Sequence, residues 1–121
     1  MSSQDFYREL EDVAESSGQF RTEALLFLFR ALEHCRRRTR RAGHVTGQEL
    51  TESARLLAIS EYGPMAKSVL NHWGVTRTED FGKLVFLLVK HGLLSKTDDD
   101  KIEDFRNGFD FEVAFVDNYR W

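Results

Sequence analysis

Thr22-Glu23-Ala24-Leu25-Leu26-Phe27-Leu28-Phe29-Arg30-Ala31-Leu32-Glu33-His34-Cys35-Arg36-Arg37-Arg38-Thr39-Arg40-Arg41 is the stretch on which the fold turns. Its opening, from Ala24 through Phe29, is apolar at every position. A helix that is apolar all round is stable only when neighbours surround it, so the spacing predicts a central helix over 22–41. Its far end changes to a run of arginines, cations that suit the negative end of a helix dipole before Gly43 stops the helix.

The flanking sequence supplies the neighbours. Before it, 4–16 sets Phe6, Leu10 and Val13 at the i, i+4, i+7 spacing of one buried stripe, and Ser17-Gly18 ends that helix. After it, Thr46-Gly47-Gln48-Glu49 has the spacing of a capping box and starts a third helix with Leu50, Ala54 and Leu57 facing inward and Leu56 beside them. Tyr62-Gly63-Pro64 closes it. Pro64 suits the first position of a fourth helix, 64–73, which puts Met65, Val69 and Trp73 on one face before Gly74. Thr76-Arg77-Thr78-Glu79 repeats the capping pattern and launches a fifth helix through Phe81, Leu84, Val85, Leu88 and Val89 to Gly92. Beyond it, Thr97 with Asp98-Asp99-Asp100 reads as a helix start, and Phe105 to Phe109 and Phe111 to Phe115 to Tyr119 keep i, i+4 spacing. The expected fold is all-α, a compact bundle of about five helices with a C-terminal segment of short helices. The alternative is a winged-helix-like α+β arrangement, in which Gly92-Leu93-Leu94-Ser95-Lys96 enters a hairpin over 93–110.

The chain has 121 residues, 41% hydrophobic and 12% aromatic, which is enough to bury a core within one domain over 1–121. One Pro and eight scattered Gly leave no linker-like stretch. A single cysteine, Cys35, rules out an intrachain disulfide and a multi-cysteine zinc knuckle, and points to a reducing, cytoplasmic setting. The start Met1-Ser2-Ser3-Gln4-Asp5 lacks a basic and an apolar region, and no apolar run approaches the ~20 residues of a membrane helix. Secretion and membrane association are therefore not expected. The net charge of −3 argues against a general nucleic-acid coat protein while leaving room for a local basic patch.

His44-Val45-Thr46-Gly47-Gln48-Glu49-Leu50, Tyr62-Gly63-Pro64-Met65-Ala66 with Val69-Leu70 and Trp73-Gly74-Val75, Thr78-Glu79-Asp80-Phe81-Gly82 with Val85-Phe86, and Glu103-Asp104-Phe105 carry a resemblance. Together, over roughly residues 5–116, they resemble a small uncharacterised bacterial protein family described as restricted to planctomycetes and verrucomicrobia. The resemblance implies a bacterial cytosolic protein and brings no activity, substrate or catalytic residue with it.

Residue chemistry points away from catalysis. His34, His44, His72 and His91 include no pair at i, i+3 or i+4, the spacing that aims two ligands at one ion, and the adjacent His34 and Cys35 diverge by about 100° on a helix. Cys35 suits a small buried apolar position. The acidic stretch 98–104 has Glu103 where a calcium loop starting at Asp98 needs Gly. Glu79-Asp80 and Glu103-Asp104 are adjacent pairs, which a helix separates. No glycine-rich phosphate loop or nucleophile elbow occurs. No catalytic residue, cofactor or metal is expected, and an enzyme of unrecognised type ranks third among the functional readings.

The arginines carry the leading reading. Residues 30–41 hold six Arg and one Glu, a local charge of +5. Guanidinium forks bind carboxylates and phosphates bidentately, with Arg37 and Arg41 sharing one face and Arg36 and Arg40 the next. Arg36, Arg37, Arg38, Arg40 and Arg41 are the candidate anion- or partner-binding residues of a small non-catalytic interaction or adaptor module with a protein partner. The plain alternative makes the cluster a helix cap paired with the chain's own acids, among which 95–121 carries a net −4. Changing Arg37, Arg38 and Arg41 to Ala is expected to alter binding far more than the melting temperature. The second functional reading is a nucleic-acid-binding regulator with helix-turn-helix-like helices over 50–73, exposing Lys67, Ser68, Asn71 and His72. That helix pair would bind weakly unless the arginines lay on its side. Phe111 and Phe115 are the candidate anchors by which the aromatic tail docks on the helical body or another chain. Oligomeric state is left open.

Overall fold

A computed structural model describes residues 3–39 and 46–94. They form α1 (Ser3–Ser17), α2 (Thr22–Thr39), α3 (Gly47–Tyr62), a single 3₁₀ turn (Gly63–Met65), α4 (Ala66–His72) and α5 (Glu79–Lys90). Every element among the described residues is a helix or 3₁₀ turn, with no strand among them. Of the hairpin alternative only Leu93 and Leu94 are described; they lie just past α5, where their N–H groups donate back to the Leu88 carbonyl.

α2 is the hub, in contact with α1, α3 and α5. Ala24, Leu25, Phe27, Leu28, Ala31, Leu32 and Cys35 are all buried along it. Burying each large apolar side chain contributes on the order of 1.5–3 kcal/mol, so this single helix organises most of the core. Its apolar run is not enclosed on every side: Leu26 and Phe29 are half-buried, and Phe29 meets Phe6 of α1 edge to face with centroids 5.5 Å apart. α1 contributes Leu10, Val13 and Ala14. At its end the Ser17 hydroxyl accepts from the backbone N–H groups of Gln19 (3.2 Å) and Phe20 (3.0 Å), folding the chain back so that Phe20 is buried.

α3 begins as the capping-box spacing predicts. The Glu49 N–H donates to Thr46 Oγ1 at 3.1 Å and the Thr46 N–H donates to Glu49 Oε1 at 2.9 Å. Its inward face is Leu50, Thr51, Ser53, Ala54 and Ala58, with Leu56 and Leu57 half-buried. Small side chains at 53, 54 and 58 let α3 approach α2 closely, which displaces Leu57 from the centre of the stripe. α4 departs further from expectation. Ala66 and Leu70 are the buried positions, Met65 is 59% exposed, and Val69 and Trp73 are half-buried. Ala66 and Leu70 are themselves an i, i+4 apolar pair, one residue on from Met65 and Val69, and this pair is the one that turns inward.

α4 and α5 stop in the same way. The N–H of Val75 reaches the Leu70 carbonyl at 2.9 Å and that of Gly74 the Asn71 carbonyl at 3.0 Å. Leu93 and Gly92 repeat the pattern onto Leu88 (2.8 Å) and Val89 (3.0 Å). Both are Schellman closures turning on a glycine of positive φ, +93° at Gly74 and +74° at Gly92. The start of α5 differs from the predicted box. Thr78 makes no side-chain cap, and the carboxylate that closes the turn belongs to Asp80: its Oδ2 accepts from the N–H groups of Thr76 (2.9 Å) and Arg77 (3.1 Å).

Candidate functional site

The last two turns of α2 present Glu33, Arg37 and Arg38 to solvent, leave His34, Arg36 and Thr39 half-buried, and bury Cys35 completely. Thr39 closes one terminal carbonyl by donating from Oγ1 to Cys35 O at 2.8 Å. The arginines here have separate roles. Arg38 crosses to the first turns of α3, where Nε donates to Ser53 Oγ at 3.1 Å and a terminal nitrogen donates to the Glu49 carbonyl at 3.3 Å. Ser53 is fully buried, so this guanidinium satisfies a hydroxyl that has left water and fastens α2 to α3. Arg38, one of the candidate binding residues, thus has two of its donors committed to α3 while its side chain stays exposed. Arg37 is exposed, and neither Arg36 nor Arg37 has a carboxylate partner among the described residues, while Arg36 Nε is shielded from water with no acceptor. Arg40 and Arg41 lie outside the described residues, as do Phe111 and Phe115.

Elsewhere among the described residues four arginines meet carboxylates, whereas Arg8 and Lys90 do not. Arg30 meets Glu61, Arg55 meets Glu52, Arg77 meets Glu79 at 3.1 Å and Arg21 meets Glu23 at 3.8 Å. The end of α2 thus concentrates positive potential, with Arg36, Arg37 and Arg38 on successive residues and the first two without a carboxylate partner among the described residues. Its neighbours register that potential. Burial, reinforced by the charges of Arg38 and Arg37, holds the His34 imidazole below its ordinary pKa of 6.5. The hydrogen bond from Arg55, assisted by the charges of Arg55 and Arg38 and opposed by burial, holds Glu52 below the usual carboxylate range. His34 Nδ1 is also shielded without a hydrogen-bond partner.

The helix-turn-helix-like pair sits elsewhere. Arg38 reaches Glu49 and Ser53 near the start of α3, whereas α4 follows its other end, about 20 Å away along the helix axis. Ser68, Asn71 and His72 of α4 are exposed and Lys67 is half-buried. The corner between α3 and α4 is held by an aromatic group in which Tyr62 and Trp73 pack edge to face at 5.6 Å and Trp73 lies 5.8 Å from Phe27 of α2. No three His, Cys, Asp or Glu side chains converge on a metal-sized site among the described residues. His72 ends α4 and His91 caps α5, both exposed, and His44 lies outside the described residues.

The sequence reading missed the junction around Asp80, which is 2% exposed. Besides the two backbone donors, Asp80 accepts from Gln19 Nε2 at 3.1 Å, a residue 61 positions away, and lies 3.6 Å from Lys83 Nζ. Gln19 Nε2 also donates to the Gly74 carbonyl at 3.2 Å, and the Arg21 N–H donates to the Trp73 carbonyl at 3.0 Å. The local signal was present, an Asp four residues after Thr76 and three after Arg77. The Gln19 partner has no sequence signature. With its acceptors filled by donors of the same chain, this junction is built to join loops.

Comparison with protein-family models, curated proteins and solved structures finds no match. No helix among the described residues is long and apolar enough to cross a membrane.

Proposed function

We propose that the chain is a non-catalytic interaction module of the planctomycete and verrucomicrobial family it resembles, binding an acidic protein surface through Arg36 and Arg37 at the end of α2. In this reading it is a single cytosolic domain over 1–121, a bundle of about five helices followed by a C-terminal segment of short helices. Arg40 and Arg41, next in the sequence, belong to the same candidate set. The observation that carries the reading is the contrast in pairing. Four arginines elsewhere have carboxylate partners; Arg36 and Arg37 have none among the described residues and are adjacent, whereas Arg8, also without one, stands alone on α1. An exposed arginine-carboxylate pair contributes only about 0.2–1 kcal/mol, so several are needed and salt weakens them together.

Nucleic acid is the second reading, and the separation of α4 from the arginines along α3 weighs against it. The test titrates the purified chain with a fluorescent polyglutamate peptide and with a DNA duplex, at low and high salt. A chain with Arg36→Ala and Arg37→Ala should lose most of its peptide binding while keeping its melting temperature. Unchanged peptide binding overturns the reading, and a clear preference for the duplex favours the second one. Affinity capture from cytosol with parallel nuclease treatment then identifies the partner.

A further inference from the structure

The outer face of α5 is incomplete. Phe86 is 52% exposed, Val85, Leu87, Leu93 and Leu94 are only half-buried against the core, and Val89 is half-buried. Two other large apolar side chains are comparably exposed, but Tyr7 carries a hydroxyl that water satisfies and Met65 stands alone on its turn. Phe86 is set between cations at helical spacing, with Lys83 three residues before it and Lys90 four after, both exposed. Lys83 is drawn to Asp80, and Lys90 has no carboxylate partner among the described residues. An apolar centre between positive ends calls for an apolar occupant bearing negative charge.

Just past this helix the description stops, at Leu94, with 27 residues of chain still to come. Those residues carry a net −4 and six aromatic side chains between Phe105 and Trp121, including Phe105 and Phe109, then Phe111 and Phe115, at i, i+4 spacing. Their reach is sufficient. Phe86 lies about 6 Å back along the helix from its end at Lys90, and the chain folds back onto Leu88 at Leu93 and Leu94, whereas the eleven residues from Leu94 to Phe105 span up to ~35 Å extended. A tether of this length holds the segment at an effective concentration in the millimolar range, so modest affinity suffices and the chain's own tail outcompetes a second molecule at ordinary concentration.

We propose that the C-terminal segment 105–119 of the same chain covers the outer face of α5, with Phe111 and Phe115 seated against Phe86 and the tail's acids facing Lys90. This stands apart from the arginine reading, because it concerns a different face and is tested by a different measurement. Hydrogen exchange of the full-length chain reads it directly. Amides in 105–119 should exchange at least about tenfold more slowly than an unstructured peptide, independently of protein concentration. Phe86→Lys should abolish that protection while circular dichroism stays helical. Should Phe86→Lys fail to fold, Phe111→Ser with Phe115→Ser serves instead, and it should deprotect the tail and increase the binding of a hydrophobic dye. Three results overturn the proposal: tail amides unprotected in the wild type, protection that survives the substitutions, or protection that grows with protein concentration, which assigns the face to a second copy.

Discussion

The two ends of α2 make opposite use of polar chemistry. Near its start, the loops at Gln19 and Gly74 lock around a buried Asp80 whose oxygens are filled by donors of the same chain. Near its finish, one arginine of three is committed to α3 and the other two have no carboxylate partner among the described residues. Satisfied polar groups withdrawn from water fix geometry, and cations left at the surface remain available to something else. Polarity by itself therefore does not distinguish scaffold from site; the filling of each donor and acceptor does.

The comparison is broken most severely at Gly74. Its φ is +93°, and a Cβ built there would meet the Gln19 carbonyl oxygen at 2.2 Å. Gly74→Ala should cost about 3 kcal/mol or more, read as a large fall in melting temperature. Gly18, at φ +67° with open space around it, is the control, and its change to Ala should cost only ~1 kcal/mol. Asp80→Ala comes next. It strands the Thr76 and Arg77 N–H groups and the Gln19 amide, for a loss of about 2–4 kcal/mol in denaturant unfolding.

At the arginine end the expected effects are smaller and diverge between neighbours. Arg38→Ala should lower stability by about 1–2 kcal/mol by taking this partner from the buried Ser53 hydroxyl and unfastening α2 from α3. Arg37→Ala should shift it by no more than ~0.5 kcal/mol while weakening polyglutamate binding. Equal effects of the two on melting temperature would erase the distinction between them.

The smallest effect is on pH dependence. His34 has a folded-state pKa below 6.5, so between its folded and unfolded values the unfolded chain binds more protons and stability falls as pH drops below about 6.5. Glu52 is also depressed, and its contribution is present above the ordinary carboxylate pKa and is lost as pH falls through its folded value. His34→Gln should flatten the first part of the unfolding profile and Glu52→Gln the more acidic part.

Features that depend on residues three or four apart could be read from the chain. The Thr46/Glu49 box, the Leu10 and Val13 stripe, the buried run of α2 and the glycine stops at 74 and 92 are of this kind. The inward face of α4 was misplaced because its short apolar pattern offers two i, i+4 pairs one residue apart, Met65 with Val69 and Ala66 with Leu70, and only packing chooses between them. The candidate site was legible as a charge run but not as separate roles. Arg36, Arg37 and Arg38 are identical in type, and only the arrival of Ser53, 15 residues on, singles out the third.

Cys35, fully enclosed beneath the arginine turn, gives the chain a built-in clock. A thiol reagent can reach its sulfur only in molecules whose α2 has left the core. The rate of labelling then counts openings of the central helix, with no introduced probe and no second cysteine to confuse the signal. Oxidation is gated by the same event: a disulfide-linked pair of chains records that both had opened, so such dimers in a stored sample measure its history of unfolding.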